Sequence, residues 1–297
     1  MQERVPVLWK TSRLVPIPKK ATPSVLRDYR PVLFDVMKVL ERIVLAHLVP
    51  QVKPALDPLQ FAYQPHVGDD AVIYLLQRTH SYLDGSGGTV RIMVFDFSSA
   101  FNTIQPFLLS EKLLRMGVSS STSSWIADYL SDRPQFVRLG ASVVSNRGAS
   151  QGTALSPFLF TLYTSDFQCN SESSHVQKFS DYTAVVGCIG DGQESKYRRL
   201  LDNFVNWRTR NYLLLKVMKS KELVVDFRRT KTLIEPITIM GEEVGIVDDY
   251  KYLGVRLNNR LDWRAHTDAV YKKGISRLYF LTKLRSFNVC NKMLEIF

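Results

Sequence analysis

Apolar residues recur at helical spacing in several parts of the chain. Between residues 36 and 52 they repeat every three to four positions with charged residues between them, which predicts a helix ending at Pro50 or Pro54. A second helix is predicted to begin at Asp69 or Asp70, because either side chain could cap it. The same reasoning predicts helices over 108–116 (stopping at Gly117), about 125–129, 157–167, 201–211 and 263–287.

Apolar and β-branched runs predict strands between these helices. Residues 90–97 form such a run and carry an acid, Asp96, near its end, which is typical of a buried strand. Strands and helices are mixed without a regular βαβ alternation, so the predicted fold class is α+β. Further strands are predicted in a basic hairpin within residues 1–35, over 176–187 as two strands meeting near Ser180 and Asp181, and over 223–227 and 250–257.

Composition and charge narrow the class of protein. The 297 residues are 45% hydrophobic and 23% charged, which is typical of a globular chain with a substantial core. The formal net charge is +11, and the 39 Lys and Arg residues are spread along the whole length. A polyanionic partner such as nucleic acid would explain this charge, and a basic surface that binds nothing is the alternative.

Cysteine spacing and hydropathy bear on the compartment. The 3 cysteines lie far apart and show neither metal-site nor disulfide spacing, which favours a reducing intracellular compartment. No apolar run approaches the roughly 18 residues that span a bilayer, and the first residues lack the features of a signal peptide. The protein is therefore expected to be soluble or held to nucleic acid.

Two aspartates are the first candidates for chemistry. Asp96 ends a predicted buried strand, and Asp181 lies at the predicted tip of a hairpin. Each alone is more often a turn or cap residue. Together they could hold Mg²⁺, which prefers carboxylate, carbonyl, water and phosphate oxygens. Nucleotidyl transfer uses two such ions roughly 4 Å apart.

A glycine-containing loop at 147–157 separates the two aspartates in sequence. Its glycines would allow close approach of the backbone to a base or sugar, and Gln151 offers both a donor and an acceptor. An ordinary turn before a helix explains the glycines equally well, although it does not require Gln151.

Four segments are distinctive in their residues and in the order in which they follow one another along the chain: residues 96–103, 151–157, 179–181 and 252–255. Their residues resemble the polymerase motifs of reverse transcriptases from non-LTR (LINE-type) retrotransposons, in the family's order. Upstream segments resemble the fingers of that family, namely residues 9–11, 16–20, 28–32 and 60–64. The resemblance implies a right-hand polymerase fold with fingers over 1–95 (palm-entry strand from about 90), a palm over 96–257 with a helical insertion at about 105–140, and the start of a thumb over 258–297.

The resemblance also implies an activity and the residues that perform it. The activity is RNA-directed DNA polymerisation with two Mg²⁺ ions, an RNA template, a DNA primer and dNTPs. By resemblance, Asp96, Asp181 and the backbone carbonyl of Phe97 would bind metal, and Lys219 would protonate the departing pyrophosphate. Substrate contacts implied in the same way are Lys19 and Arg30 for the triphosphate, Phe101 as the steric gate, Gln151 and Gly152 in the nucleotide and template pocket, and Tyr252, Leu253 and Gly254 as the primer grip.

One position departs from the family in the metal motif. Where the family has a second adjacent aspartate, this chain has Tyr182, and a phenol with a reference pKa near 10 is a poor Mg²⁺ ligand at neutral pH. Two hypotheses follow: a polymerase impaired by Tyr182, or a nucleic-acid-binding remnant that cannot polymerise. A third hypothesis is a basic α+β protein that is unrelated to polymerases.

The resemblance also bears on localisation. Nuclear localisation is expected from the family's use of chromosomal DNA as primer. No residues here supply an endonuclease.

Overall fold

The computed structural model describes residues 4–6, 10, 12–18, 20–24, 28–34, 37–63, 69–86, 88–133, 135–137, 153–190, 193–229, 234–287 and 289–294. The helices are α1 (Met37–Val52), α2 (Asp70–Ser86), α3 (Pro106–Arg115), α4 (Ser120–Leu130), α5 (Ser156–Tyr163), α6 (Glu194–Arg210), α7 (Arg264–Ser286) and α8 (Asn291–Leu294), with 3₁₀ turns at Lys53–Ala55, Ala100–Thr103 and Val217–Lys219. The strands are β1 (Ser12–Pro18), β2 (Tyr29–Phe34), β3 (Thr89–Asp96), β4 (Gln135–Val137), β5 (Ser174–Phe179), β6 (Tyr182–Ile189), β7 (Lys221–Asp226), β8 (Thr238–Ile239), β9 (Glu242–Glu243), β10 (Ile246–Val247), β11 (Asp249–Tyr252) and β12 (Val255–Asn258).

A five-stranded sheet in the order β10-β7-β3-β6-β5 carries the fold. Strand β3 lies at its centre and pairs antiparallel with both β6 and β7. Seven of its eight residues are buried, because both faces of the sheet are covered. A strand covered on both faces needs apolar residues at nearly every position, and this explains the apolar run in the sequence.

Successive residues of β3 enter two separate cores. Met93 and Phe95, and Phe97 just beyond the strand, face a cluster that includes Phe160 of α5 and Phe204 of α6. The β3 residues that alternate with these face a second cluster, which also contains residues of α2 and of the β11–β12 hairpin. They are Val90, Ile92 and Val94. Strand pleating produces this alternation, so the sheet binds helices on one side and a helix plus a hairpin on the other.

Two buried ion pairs connect the sheet to the elements around it. Arg91 of β3 donates to both carboxylate oxygens of Glu222 on β7 at 2.9 and 2.8 Å. Lys178 of β5 donates to Asp57 at 2.6 Å and to the backbone carbonyls of Thr164 and Phe167 at 2.7 and 2.5 Å. A buried charge is tolerated only when it is paired and hydrogen-bonded, as both cations are.

The N-terminal basic segment forms the predicted hairpin. Strands β1 and β2 pair antiparallel, and β4 joins β1 in parallel to give a three-stranded sheet. The backbone of Arg30 lies opposite Ile17 in this hairpin.

Several predicted elements have different bounds in the structure, and three of the differences have a local cause or change the element. Residues 250–257, predicted as one strand, are a hairpin, because Leu253 and Gly254 take φ values of 48° and 96° and form a two-residue turn. Helix α5 ends at Tyr163 instead of 167, where the hydroxyls of Thr164 and Ser165 bond to carbonyls of the last turn. Helix α6 begins at Glu194, before the apolar positions that predicted it.

The long helix α7 packs little of its surface. No residue of this helix is buried, and three of the apolar positions that predicted it are exposed: Val270 (55%), Ile275 (49%) and Leu278 (59%). Among the described residues, no helix has the combination of length and apolar character needed to cross a membrane.

His175 of β5 gives the fold a predictable response to pH. Its side chain is buried, and burial lowers its pKa from 6.5 to about 4. Between these values the unfolded chain binds a proton that the folded chain does not, so stability rises with pH across this window. Lowering the pH from 7 to 5 should therefore reduce the free energy of unfolding through His175 by about 2 kcal/mol.

Urea denaturation of the unmodified chain and of His175→Gln at both pH values measures this contribution. The variant should lose less stability between pH 7 and 5 than the unmodified chain does, while His80→Gln, on an exposed face of α2, should keep the original dependence. Equal pH dependence in His175→Gln and the unmodified chain would contradict the assignment.

Candidate active site

The two candidate aspartates meet at one end of the central sheet. Asp96 is the last residue of β3, and its direct partner across the sheet is Tyr182, the first residue of β6. Strands β5 and β6 are joined by a two-residue turn made of Ser180 and Asp181. Asp181 is therefore next in sequence to the residue paired with Asp96, and the sheet register alone brings these side chains to the same edge.

The pleat places the Asp96 and Tyr182 side chains on the same face. Asp96 continues the face of Ile92 and Val94, and Tyr182 continues that of Ala184 and Val186. This is the face that the β11–β12 hairpin covers. Tyr182 is 37% exposed as a residue, so it stands at the open edge where the packed core stops.

The turn that carries Asp181 is held by a segment before α2. Ser180 has a positive φ of 56°, and its backbone N–H donates to Gln60 Oε1 at 3.2 Å. The hydroxyls of Ser180 and Tyr63 are 2.7 Å apart. The backbones of Leu59 and Phe61 also bond to Lys178, two residues before the turn, at 2.8 and 2.9 Å. Four hydrogen bonds thus hold the turn in place from outside the hairpin.

Two lysines approach the Asp96 carboxylate. Lys216 Nζ lies 3.3 Å from Oδ1 and 3.2 Å from Oδ2, and Lys219 Nζ lies 4.0 Å from Oδ2. The backbone N–H of Lys216 also donates to the carbonyl oxygen of Asp96 at 3.0 Å. The side chain of Lys219 is 68% exposed, whereas that of Lys216 is 33% exposed. Lys216 is therefore the closer counter-charge of Asp96.

Burial and like charges raise two pKa values at this edge. Burial raises the pKa of the Asp181 carboxyl, and the negative charge of Asp96 raises it further while Lys216 opposes the shift. Burial also raises the pKa of the Tyr182 phenol, as do the charges of Asp96 and Asp181. Tyr182 is therefore a neutral phenol at neutral pH and not a phenolate.

The residues after β3 lead away from the sheet into a 3₁₀ turn. A bridge joins Phe97 to Leu215, but its two hydrogen bonds use the carbonyl of Asp96 and the amide of Ser98 and not the carbonyl of Phe97. The Phe97 side chain is buried in the core. Phe101 is half-buried, with its ring centroid 5.6 Å from that of Phe160.

The other sequence-predicted residues lie at varied places. Tyr252 is a core residue whose hydroxyl accepts a hydrogen bond from Gln177 at 2.9 Å, so its side chain is not available to a primer. Leu253 and Gly254 form the turn beside it. Outside the described residues lie Lys19, Gln151, Gly152 and the side chain of Arg30.

Sequence reasoning gave Lys216 no role at the site, and it named Gln60 and Tyr63 only as part of a finger-like segment without predicting their contacts with the turn. Lys216 belongs to the same basic segment as Lys219, and the sequence does not show that the backbone of Lys216 pairs with Asp96 and brings its ammonium closer to the carboxylate. Within the part of the chain that the structure describes, no group of three or more His, Cys, Asp or Glu residues could hold a metal. Two carboxylates and a backbone carbonyl are still oxygen donors of the kind that Mg²⁺ prefers, so the residues fit a divalent cation, with a phenol at the third position.

Comparison with models of protein families gives a match over most of the chain. A family model described as "Reverse transcriptase (RNA-dependent DNA polymerase)" matches residues 17–257. A second model, "Alkylated DNA repair protein alkB homolog 8, N-terminal", matches only residues 263–297. The first match covers well over half of the chain and includes both Asp96 and Asp181.

Similar full-length proteins are retrotransposon polymerases. The Pol polyprotein of the type-1 retrotransposable element R2 of Popillia japonica is 28% identical over 59% of this chain and 25% of its own length. A probable RNA-directed DNA polymerase from transposon BS of Drosophila melanogaster is 24% identical over 92% of the chain and 32% of its own length. The chain thus spans a quarter to a third of these relatives.

Solved structures share the fold at low sequence identity. A telomerase of Candida tropicalis in complex with a fragment of telomeric RNA superposes with a TM-score of 0.58 at 10% identity, covering 86% of this chain and 44% of that one. The apo form of that telomerase gives 0.58 at 10% identity over 86% and 48%. Identity at this level shows the fold alone.

The left-handed conformation at Ser180 predicts a difference between two substitutions. Ser180→Gly removes the hydroxyl contact with Tyr63 but suits the positive φ, whereas Ser180→Val adds a β-branched side chain in a conformation that such residues avoid. Ser180→Val should be less stable than Ser180→Gly by about 1–3 kcal/mol in urea denaturation. Equal stability of the two variants would show that the turn does not hold this conformation.

Proposed function

Because the chain belongs to the reverse transcriptase (RNA-dependent DNA polymerase) family, as a LINE-type domain with the right-hand polymerase fold, we propose that it extends a DNA primer on an RNA template. The observation that carries the proposal is the meeting of Asp96 and Asp181 at one edge of the central sheet. The central strand of the sheet fixes the Asp96 carboxylate, and a tight turn held by hydrogen bonds from outside the hairpin fixes that of Asp181, as nucleotidyl transfer requires.

The cofactor of this proposal is Mg²⁺, in the two-ion arrangement of nucleotidyl transfer. Asp96, Asp181 and the backbone carbonyl of Phe97 would hold it. When bound, Mg²⁺ activates the primer 3′-hydroxyl and stabilises the charge on the leaving pyrophosphate. With a neutral phenol at position 182, the chain provides fewer anionic ligands for two ions than three carboxylates would.

The chain's own residues would position the substrates. Phe101 lies in the 3₁₀ turn that follows β3 and packs against Phe160, and by resemblance its ring would exclude a 2′-hydroxyl. Lys219, the more exposed of the two lysines near Asp96, would hold the proton that the pyrophosphate takes up. The remaining roles rest on sequence resemblance: Lys19 and Arg30 at the triphosphate, Gln151 and Gly152 in the nucleotide and template pocket, and the segment Tyr252, Leu253 and Gly254 as the primer grip.

A second candidate function is nucleic-acid binding without polymerisation. The observation that favours it is Tyr182, which stands directly opposite Asp96 and carries no charge. The net charge of +11 would still attract an RNA template and a DNA primer through their phosphates. On either proposal the site of action is the nucleus. Cleavage of target DNA and the other activities of whole elements lie beyond what this chain is proposed to do.

Primer extension on poly(rA)/oligo(dT) with Mg²⁺ distinguishes the two functions. Tyr182→Asp should extend primers on the order of a hundredfold faster than the unmodified chain, because a carboxylate at this position stabilises bound cations and a phenol does not. Asp96→Ala should abolish extension in both backgrounds. The same substitution at an exposed position of α7, Tyr271→Asp, should leave the rate unchanged.

The outcomes bear on the proposal differently. Extension by the unmodified chain that equals that of Tyr182→Asp would mean that two aspartates suffice. Slower extension by the unmodified chain than by Tyr182→Asp would support an impaired polymerase, and extension by Tyr182→Asp alone would favour the second candidate, because the unmodified chain would then bind without polymerising. Absence of extension in the folded Tyr182→Asp variant would contradict the polymerase proposal and favour binding alone.

A further inference from the structure

Lys216 occupies the side of Asp96 that a cation would need. Its ammonium nitrogen is almost equally distant from the two carboxylate oxygens, at 3.3 and 3.2 Å, so it lies close to the bisector of the carboxylate. A divalent cation bound by the same two oxygens would stand on this bisector at about 2 Å from each oxygen. The ammonium and such a cation cannot occupy this position together.

The contact is more restrained than an ordinary surface ion pair. The Lys216 backbone N–H is bonded to the Asp96 carbonyl at 3.0 Å, and the Lys216 carbonyl accepts from the amides of Lys219 and Ser220 at 2.9 and 3.0 Å. The Asp96 side chain is only 15% exposed. Surface ion pairs are weak partly because two long side chains must be ordered, and here the backbone has already ordered one end of the pair.

The charges at this edge balance without any added ion. Asp96 and Asp181 carry two negative charges when ionised, and Lys216 and Lys219 carry two positive charges within reach of them. A third carboxylate at position 182 would leave an excess negative charge, but Tyr182 supplies none. A tyrosine in place of an aspartate at position 182 therefore has two effects. It removes a carboxylate ligand, and it removes a negative charge that would attract a divalent cation to the site in competition with the Lys216 ammonium.

We propose that Lys216 is an internal counter-ion of the candidate active site, whose ammonium competes with a divalent cation for Asp96. The inference rests on the proposed function only in taking Asp96 as a cation ligand. It adds that the Lys216 ammonium would weaken cation binding at this site independently of the phenol of Tyr182. An aspartate at position 182 alone would therefore leave this competition in place.

Binding of Mn²⁺ alone, measured by the electron paramagnetic resonance signal of the free ion, tests the competition without any activity. The full chain is compared with Lys216→Gln and with Lys219→Gln, a matched control that removes the same charge from the same short segment. Lys216→Gln should bind Mn²⁺ about tenfold more tightly than the unmodified chain, whereas Lys219→Gln should change affinity by less than about threefold. Asp96→Asn should abolish the tight site in the Lys216→Gln background.

Equal gains in Lys216→Gln and Lys219→Gln would mean that only net charge matters, and would overturn the proposal. Unchanged or absent Mn²⁺ binding in Lys216→Gln would also overturn it, and Lys216→Met, which lacks the amide of glutamine, should repeat the result if the first variant folds poorly. The proposed polymerase activity is tested separately by primer extension with Tyr182→Asp. If one proposal fails its measurement, the other measurement can still confirm or contradict the other proposal.

Discussion

The register between β3 and β6 is the constraint on which the candidate site depends. It places Tyr182 opposite Asp96 and puts Asp181 in the adjoining turn. Because side chains alternate along a strand, a slip of one residue would send Asp96 to the opposite face of the sheet. Two hydrophobic cores prevent this slip, since each accepts every second residue of β3. Gly187 of β6 adds a steric limit, because a methyl group there would overlap the ring of Tyr197.

The turn that carries Asp181 is connected to a buried charge. Lys178 lies two residues before Ser180 and is paired with Asp57 in the core. The segment that follows Asp57 supplies Gln60 and Tyr63, which hold Ser180 from the other side. One short stretch of chain before α2 thus fixes both the strand that leads into the turn and the turn itself. Positioning of the site and stability of the fold therefore depend on the same contacts.

Sequence patterns predicted the elements in which buried residues follow a regular pattern. They failed where the backbone conformation of a single residue determines where an element turns or ends. The apolar run of β3 and the end of α3 before Gly117, whose φ is 85°, were correctly predicted because burial and glycine leave clear signals. The β11–β12 hairpin was missed because Leu253 adopts a positive φ, which no apolar pattern reveals. Lys216 was missed for a related reason: its role depends on a backbone bond to Asp96, which lies far away in sequence.

The place of Tyr182 in the sheet explains how the fold tolerates it. Position 182 is the first residue of a strand, at the open edge of the sheet, where an aromatic ring has good strand propensity and need not be fully enclosed. Aspartate and tyrosine codons differ only in their first base. A single transversion therefore exchanges aspartate and tyrosine at this position, which changes the charge at the edge of the sheet next to Asp96, and a single transversion reverses the change.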